Sequence, residues 1–133
     1  MAYQDKDPFQ TSKNKSFFRS LQHALRGLGT AFKEERNMRY HVLAGFVILL
    51  LALIVQIQLN EWLWLLLVIF LVLAMEILNT LVENTIDLVT DYHYHPLAKK
   101  IKDMAAALVL LTALFALLVG GIIFIPKVLS LLI

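Results

Sequence analysis

The chain has 133 residues, 59% of them hydrophobic, and it contains no cysteine, which excludes disulfides and thiolate metal sites. A soluble domain of this size usually has about 45–50% apolar residues, and here the excess lies in long blocks of the kind that cross membranes. The formal net charge of +2 is less informative than the positions of the charges.

The Lys and Arg residues form two clusters beside apolar blocks. Eight of the twelve lie between Lys6 and Arg39, before the first apolar block, and three more are Lys99, Lys100 and Lys102. Such clusters orient membrane proteins and attract anionic headgroups. Nucleic-acid binding is the alternative explanation of a basic N-terminus. Because the rest of the chain is typical of a lipid environment, we expect no nucleic-acid partner.

The N-terminal region divides into two segments. Residues 1–16 are polar, and we expect them to be disordered. Residues 17–36 place Leu21, Leu25 and Phe32 at helical spacing, with basic residues between them. This pattern predicts an amphipathic helix that lies on the membrane surface, its apolar face toward the lipid.

Three apolar segments predict membrane-spanning helices at about residues 41–59, 62–87 and 104–125, with Pro126 ending the third. The short turn of residues 58–62 carries no Lys or Arg. Positive charge therefore predicts a cytoplasmic N-terminus and second loop, and an external C-terminus. The predicted fold is an all-α, multi-pass protein of the cell membrane, with residues 17–133 forming one domain.

The second span carries a stripe of polar residues: Glu76, Asn79, Glu83 and Asp87, at relative positions 0, 3, 7 and 11 on one helical face. Glu76 lies about 21 Å along the helix from Trp62, in the inner part of the bilayer. A carboxylate at that depth costs a few kcal/mol and usually has a function. It suits a general base for a lipid alcohol, and the lower carboxylates suit Mg²⁺. Hydrogen bonding to neighbouring helices is the alternative.

Two further polar segments lie on the same predicted side of the membrane. In residues 34–41, Arg36 and Arg39 could bind phosphate and Glu35 could bind a metal, or the segment could only anchor the span. Lys102, followed by Asp103, could neutralise a transferred phosphoryl group, or could only stop translocation.

Two kinds of site are disfavoured by the sequence. No two of the four histidines have the i, i+4 spacing that favours zinc on a helix, and His93 and His95 lie in a predicted loop. No glycine-rich phosphate loop of the GxxxxGK[ST] kind is present, which excludes a P-loop nucleotide site.

Three runs carry a resemblance to a known family: MEILNTLVENTID (75–87), ERNMRYH (35–41) and HPLAKKIKDMAAA (95–107). Over about residues 15–120 the chain resembles the bacterial diacylglycerol kinase and undecaprenol kinase family of small, trimeric, three-span lipid kinases. The second and third runs are more similar to the Gram-positive branch, which is associated with undecaprenol.

The resemblance implies a role for each matching residue. Glu76 matches the general base, Glu35 and Glu83 match the pair that holds the Mg²⁺ bridging the ATP phosphates, and Asp87 matches a supporting acid. The implied nucleotide contacts are Asn79, Glu83, His95, Lys102 and Asp103. The implied lipid contacts are Asn37, Met38 and Arg39.

The implied reaction is ATP-dependent phosphorylation of undecaprenol to undecaprenyl phosphate at the cytoplasmic face, in a homotrimer whose subunits share sites. Diacylglycerol is the alternative substrate. A small cation channel or transporter would also place carboxylates in the bilayer, although the first and third spans carry few polar residues. A structural or regulatory subunit would give no reason for the register of the stripe.

Overall fold

The computed structural model describes residues 17–132, with side chains described through residue 130, and these residues form four helices. The helices are α1 (Phe17–Glu34), α2 (Arg36–Ile54), α3 (Leu59–Thr90) and α4 (Pro96–Leu132). Within this part of the chain, α2, α3 and α4 are each long and apolar enough to cross a membrane. The predicted all-α, multi-pass membrane fold is confirmed, whereas the disorder predicted for residues 1–16 lies outside the described residues.

The junction between α1 and α2 is shorter than the sequence predicted. The surface helix was expected to continue to residue 36 and the first span to begin at 41, but α1 ends at Glu34 and α2 already begins at Arg36. Glu35 alone is extended, with φ −95° and ψ 117°. The Arg39 guanidinium donates to the carbonyls of Phe32 (3.3 Å) and Lys33 (2.7 Å). These bonds satisfy carbonyls that a helix end leaves without partners.

The turn between α2 and α3 also differs from its predicted position. It was expected at residues 58–62, but α2 ends at Ile54 and α3 begins at Leu59. Gln56 has a left-handed φ of 52°, which reverses the chain. Gln58 and Glu61 form a capping box in which the Gln58 N–H donates to the Glu61 carboxylate at 2.6 Å. This cap allows polar residues to begin the helix before its apolar part.

Helix α4 extends beyond the predicted span at both ends. Pro96 occupies its first position, where a missing N–H costs nothing, so the basic cluster lies on the first turns of α4 and the loop is only residues 91–95. The prediction that Pro126 ends the helix is wrong, since Pro126 lies inside it. Proline removes one helical hydrogen bond. An ion pair between Lys127 and Glu61 (2.9 Å) fastens the continuation to α3.

Helix α3 is the centre of the packing. It contacts α4 most extensively and also packs against α2, while α1 contacts α2. The apolar core includes Leu65 and Val68 of α3 and lies near the α2–α3 turn. Gly45 lets α2 approach α3 closely, because a Cβ there would stand 3.2 Å from Ile69 Cγ2. The buried polar residues lie further along α3.

Candidate functional site

The polar stripe predicted on the second span is buried in the protein at the end that carries Glu76 and Asn79. Glu76 is 2% exposed and Asn79 is 8% exposed, although both lie on a membrane-spanning helix. The neighbouring Thr80 is also buried and donates its hydroxyl to the Glu76 carbonyl at 3.1 Å. A threonine hydroxyl within a helix commonly donates its hydrogen bond to a backbone carbonyl of the same helix. The buried groups left for chemistry are therefore the Glu76 carboxylate and the Asn79 amide.

Asn79 orients the next carboxylate of the stripe. Its Nδ2 donates to Glu83 Oε1 at 2.9 Å, and Glu83 is half-buried. The Asn79 Oδ1 atom is buried and has no hydrogen-bond partner among residues 17–130. Nearly all buried acceptors in proteins have a partner. Because an amide oxygen can only accept, this atom is a candidate contact for a hydroxyl or a cation.

The first turns of α2 lie against the stripe. The Asn37 side chain lies near the Glu76 carboxylate, and Glu35, His41 and Glu83 are close enough to interact with it electrostatically. The structure therefore brings Glu35, the predicted metal ligand, to the same place as Glu76 and Glu83. Sequence reasoning missed His41. Its spacing of four residues from Asn37 puts both on one helical face and could have indicated it.

The far end of the stripe is tied to α4 by an ion pair. Lys102 Nζ lies 2.5 Å from Asp87 Oδ1, and the two side chains are 32% and 26% exposed. The structure thus brings Lys102 to the stripe, as its position in the sequence suggested. Asp103, in contrast, pairs with Lys99 at 2.5 Å on the exposed surface of α4.

The loop between α3 and α4 forms a second, separate feature. His95 is exposed, and its Nδ1 accepts from the Leu97 N–H at 3.2 Å, at the start of α4. His95, Tyr94 and Thr90 help to line a cavity of about 400 Å³ beside this loop. The structure therefore places His95 at the Asp87 end of the stripe.

The three residues predicted to contact lipid have different environments. Asn37 is exposed and reaches toward Glu76, while Arg39 is exposed and bonded to the carbonyls that end α1. Met38 is 5% exposed and is part of the core. Their contact with lipid stays a prediction.

An apolar groove of about 580 Å³ runs between α2, α3 and α4. One of its lining residues is His41, which lies close to Glu76. The others are apolar and include Val68, Gly120 and Phe124, and a Cβ on Gly120 would meet nothing within 4 Å. The groove therefore leads from the neighbourhood of the buried carboxylate into the part of the protein that lies at hydrocarbon depth.

The oxygen donors of the stripe suit one class of metal. Within residues 17–132 there is no cluster of three or more His, Cys, Asp or Glu that could hold a metal ion. Glu35 and Glu83 offer carboxylates, and Asn79 offers an unpartnered amide oxygen. Mg²⁺ typically uses one or two carboxylates together with substrate phosphates and water. Carboxylate and amide oxygens of this kind would suit Mg²⁺ only together with phosphate and water oxygens.

The whole arrangement lies within one known family. Residues 22–124, which include every residue of the site, match the family described as prokaryotic diacylglycerol kinase. The chain belongs to this family. The resemblance noted from the three sequence runs is thereby confirmed.

Individual relatives extend the comparison. The chain is 40% identical over 111 residues to a protein of Bacillus subtilis named undecaprenol kinase, a match that covers 84% of this chain and 89% of the relative. It is 38% identical over 114 residues to a diacylglycerol kinase of Synechocystis, covering 86% of this chain and 65% of that longer protein. A diacylglycerol kinase of Helicobacter pylori is 36% identical over 107 residues, covering 80% and 83%.

Proposed function

We propose that this protein is a lipid kinase, which transfers the γ-phosphoryl group of ATP to the hydroxyl of a membrane lipid alcohol. The observation that carries the proposal is the buried Glu76 carboxylate on a membrane-spanning helix, with Asn37, Glu35 and Glu83 gathered around it. The chain belongs to a kinase family, and its relatives are themselves named kinases, which supports the same conclusion.

Undecaprenol is the substrate we propose, because the Bacillus subtilis protein named undecaprenol kinase is 40% identical to this chain over most of its length. Diacylglycerol is the second candidate, since other relatives are named for it. The groove beside His41 suits the hydrocarbon chain of either lipid, because its other lining residues are apolar. An ion path would need polar groups along its length, so the same lining disfavours a channel or transporter.

The reaction needs a base within the hydrocarbon region. The lipid hydroxyl oxygen attacks the γ-phosphorus of ATP, a new O–P bond forms, and the bond from that phosphorus to the bridging oxygen of ADP breaks. Glu76 accepts the hydroxyl proton. General-base catalysis of this kind contributes about 10²–10⁴-fold. The rest of the rate comes from positioning and charge neutralisation, as is usual for phosphoryl transfer.

The proposed metal and nucleotide contacts are residues of the stripe and residues that lie beside it. Glu35 and Glu83 would hold Mg²⁺, and the 2.9 Å hydrogen bond from Asn79 fixes the Glu83 carboxylate for this role. Bound magnesium would neutralise charge on the ATP phosphates. Lys102, further along the stripe, contacts the phosphates of the nucleotide. The further nucleotide contacts that we propose are Asn79, Asp103 and His95.

The lipid contacts and the membrane position complete the proposal. Asn37, Met38 and Arg39 contact the lipid headgroup region, and α1 lies on the membrane surface, where its exposed Phe17, Leu21 and Phe32 can enter the lipid. The N-terminus and the loop 91–95 are cytoplasmic, because the Lys and Arg clusters adjoin them. The active site therefore opens to the cytoplasm, and residues 17–133 form one lipid kinase domain.

We propose a homotrimer in which neighbouring subunits complete each other's sites. The exposed faces of α2 and α4 carry many large hydrophobic residues, including Phe46, Leu111 and Leu118, which suit contact with lipid or with another subunit. Three spans enclose little volume by themselves. Most membrane and soluble homo-oligomers have closed symmetry, and a three-fold ring is one such arrangement.

A phosphoryl-transfer assay tests the proposal. The purified protein is incubated with Mg²⁺, γ-³²P-labelled ATP and either undecaprenol or diacylglycerol, and the labelled lipid is quantified. We expect labelled undecaprenyl phosphate and much slower labelling of diacylglycerol. Labelling of neither lipid would refute the kinase function, and equal turnover of both would refute the substrate preference.

A further inference from the structure

The ion pair between Asp87 and Lys102 lies well away from the buried Glu76 carboxylate. Asp87 lies eleven residues beyond Glu76, or about 16 Å along α3. Glu83, between them, is held by Asn79, but Asp87 instead contacts Lys102 of α4 at 2.5 Å. The stripe therefore ends in a contact between two helices.

We propose that Asp87 is a positioning residue, which holds the ammonium group of Lys102 at the end of the stripe where the ATP phosphates arrive. The proposal rests on the kinase function proposed above. It gives Asp87 a specific task, since its carboxylate acts on the reaction through Lys102 and not by touching ATP or lipid.

The chemistry of lysine explains why such a partner is needed. Its ammonium group is a point charge on a flexible four-carbon chain, with about 2 kcal/mol of rotamer entropy. Asp87 fixes the Lys102 side chain before the nucleotide binds, so less side-chain entropy is lost during the reaction. The carboxylates of Glu76, Glu83 and Asp87 share one helical face and repel the phosphates of ATP. A cation held on this face offsets that repulsion.

A second ion pair joins the same two helices outside the stripe. Lys127 of α4 contacts Glu61 of α3 at 2.9 Å, and these side chains are 22% and 23% exposed. The two pairs have similar burial and join the same helices at opposite ends. If the Asp87–Lys102 pair only fastened α4 to α3, its loss and the loss of the Glu61–Lys127 pair would change kcat to a similar extent. Lys127→Met is therefore a matched control.

A double-mutant cycle tests the coupling between Asp87 and Lys102. The wild-type protein, Asp87→Asn, Lys102→Met and the double variant are compared by kcat and by KM for ATP and for lipid. We expect Asp87→Asn to lower kcat by about tenfold and leave KM for the lipid unchanged. We expect the double variant to be no worse than Lys102→Met, because Asp87 acts through Lys102. Lys127→Met should keep the wild-type kcat.

A charge-swapped variant separates positioning from fastening. Asp87→Lys combined with Lys102→Asp keeps an ion pair between the helices but moves the cation to α3. We expect its thermal unfolding temperature in detergent to stay near that of the wild type, while its kcat stays as low as that of Lys102→Met. If the swapped protein does not fold, the cycle with the milder Asn and Met variants decides.

Three results would overturn the positioning role. They are wild-type kcat in Asp87→Asn, independent effects that multiply in the double variant, and recovery of kcat in the swapped variant. Each of them requires an active wild-type enzyme. Absence of phosphoryl transfer in the wild type would instead overturn the proposed function, so the two failures are distinguishable.

Discussion

At the scale of single residues, the cost of burying Glu76 on α3 is offset by polar side chains of α2. A carboxylate at hydrocarbon depth costs a few kcal/mol on insertion scales. Asn37 and His41 of α2 both lie near this carboxylate and place polar side chains beside it. The 2% exposure of Glu76 keeps bulk water from its carboxylate. A base in this position can meet an alcohol that never leaves the membrane.

Glu76→Gln removes the base and keeps the size of the side chain. We expect phosphoryl transfer to fall by at least about 10²-fold, because the amide cannot accept the hydroxyl proton. Lipid labelling from γ-³²P-labelled ATP measures the loss. Glu34→Gln, the same chemical change at an exposed residue outside the stripe, should leave turnover unchanged. Activity of Glu76→Gln equal to the wild type would remove the assignment of the base.

Glu83→Gln tests the metal site separately from the base. Loss of one carboxylate weakens Mg²⁺ binding, because Mg²⁺ prefers charged oxygen ligands. We expect half-maximal activity to need several times more Mg²⁺, with much of the rate recovered at saturating metal. A Mg²⁺ titration of turnover measures this shift. A titration curve that superimposes on that of the wild type would argue against metal ligation by Glu83.

The stripe itself could be predicted from the sequence, but its partners could not. Residues at 0, 3, 7 and 11 share a helical face whatever surrounds the helix. The approach of Asn37 to Glu76 depends on how α2 packs on α3, which no local pattern encodes. Arg39 illustrates the same limit. Phosphate binding and simple anchoring were both considered for it, and neither indicated that it donates to the carbonyls at the end of α1, which become available because α1 ends at Glu34.

At the scale of elements, the number and order of the helices followed from hydropathy, whereas their ends did not. Hydropathy marks only the apolar part of a helix, and capping decides where the helix itself begins and ends. The Gln58–Glu61 box starts α3 three residues before Trp62, and Pro96 starts α4 eight residues before Met104. Pro126 was expected to be a terminator, although a proline deep in a lipid-embedded helix can be tolerated.

The close approach of α2 and α3 at Gly45 gives a test of the packing. Gly45→Leu puts a large side chain where even a Cβ would lie 3.2 Å from Ile69. We expect a loss of about 1–3 kcal/mol in stability from overpacking. The thermal unfolding temperature, followed by far-UV circular dichroism in detergent, measures it.

The matched control is Gly27→Leu in α1, where no atom lies within 4 Å of a built Cβ. There the substitution only removes a poor helix former, so the unfolding temperature should stay the same or rise slightly. Equal destabilisation by the two substitutions would contradict the close α2–α3 contact.

At the scale of the whole molecule, the protein's topology in the membrane can be tested with single introduced cysteines, with no native cysteine to remove first. The chain has no cysteine, so each introduced thiol is the sole reactive one. We expect Asn60→Cys, at an exposed position in the first turn of α3, to react with a membrane-impermeant maleimide in intact cells. Tyr92→Cys, 83% exposed in the loop between α3 and α4, should react only after the membrane is opened. The reverse pattern would invert the topology.

The length of α3 links the chemistry to the thickness of the membrane. The helix has 32 residues and is therefore about 48 Å long, well beyond a hydrocarbon layer of about 30 Å. Trp64 is exposed near one end, and the buried carboxylate stands at a fixed rise from it. If Trp64 is held at one membrane surface, a thicker bilayer would place Glu76, the proposed base, deeper below the opposite surface, and a thinner one would place it closer to water.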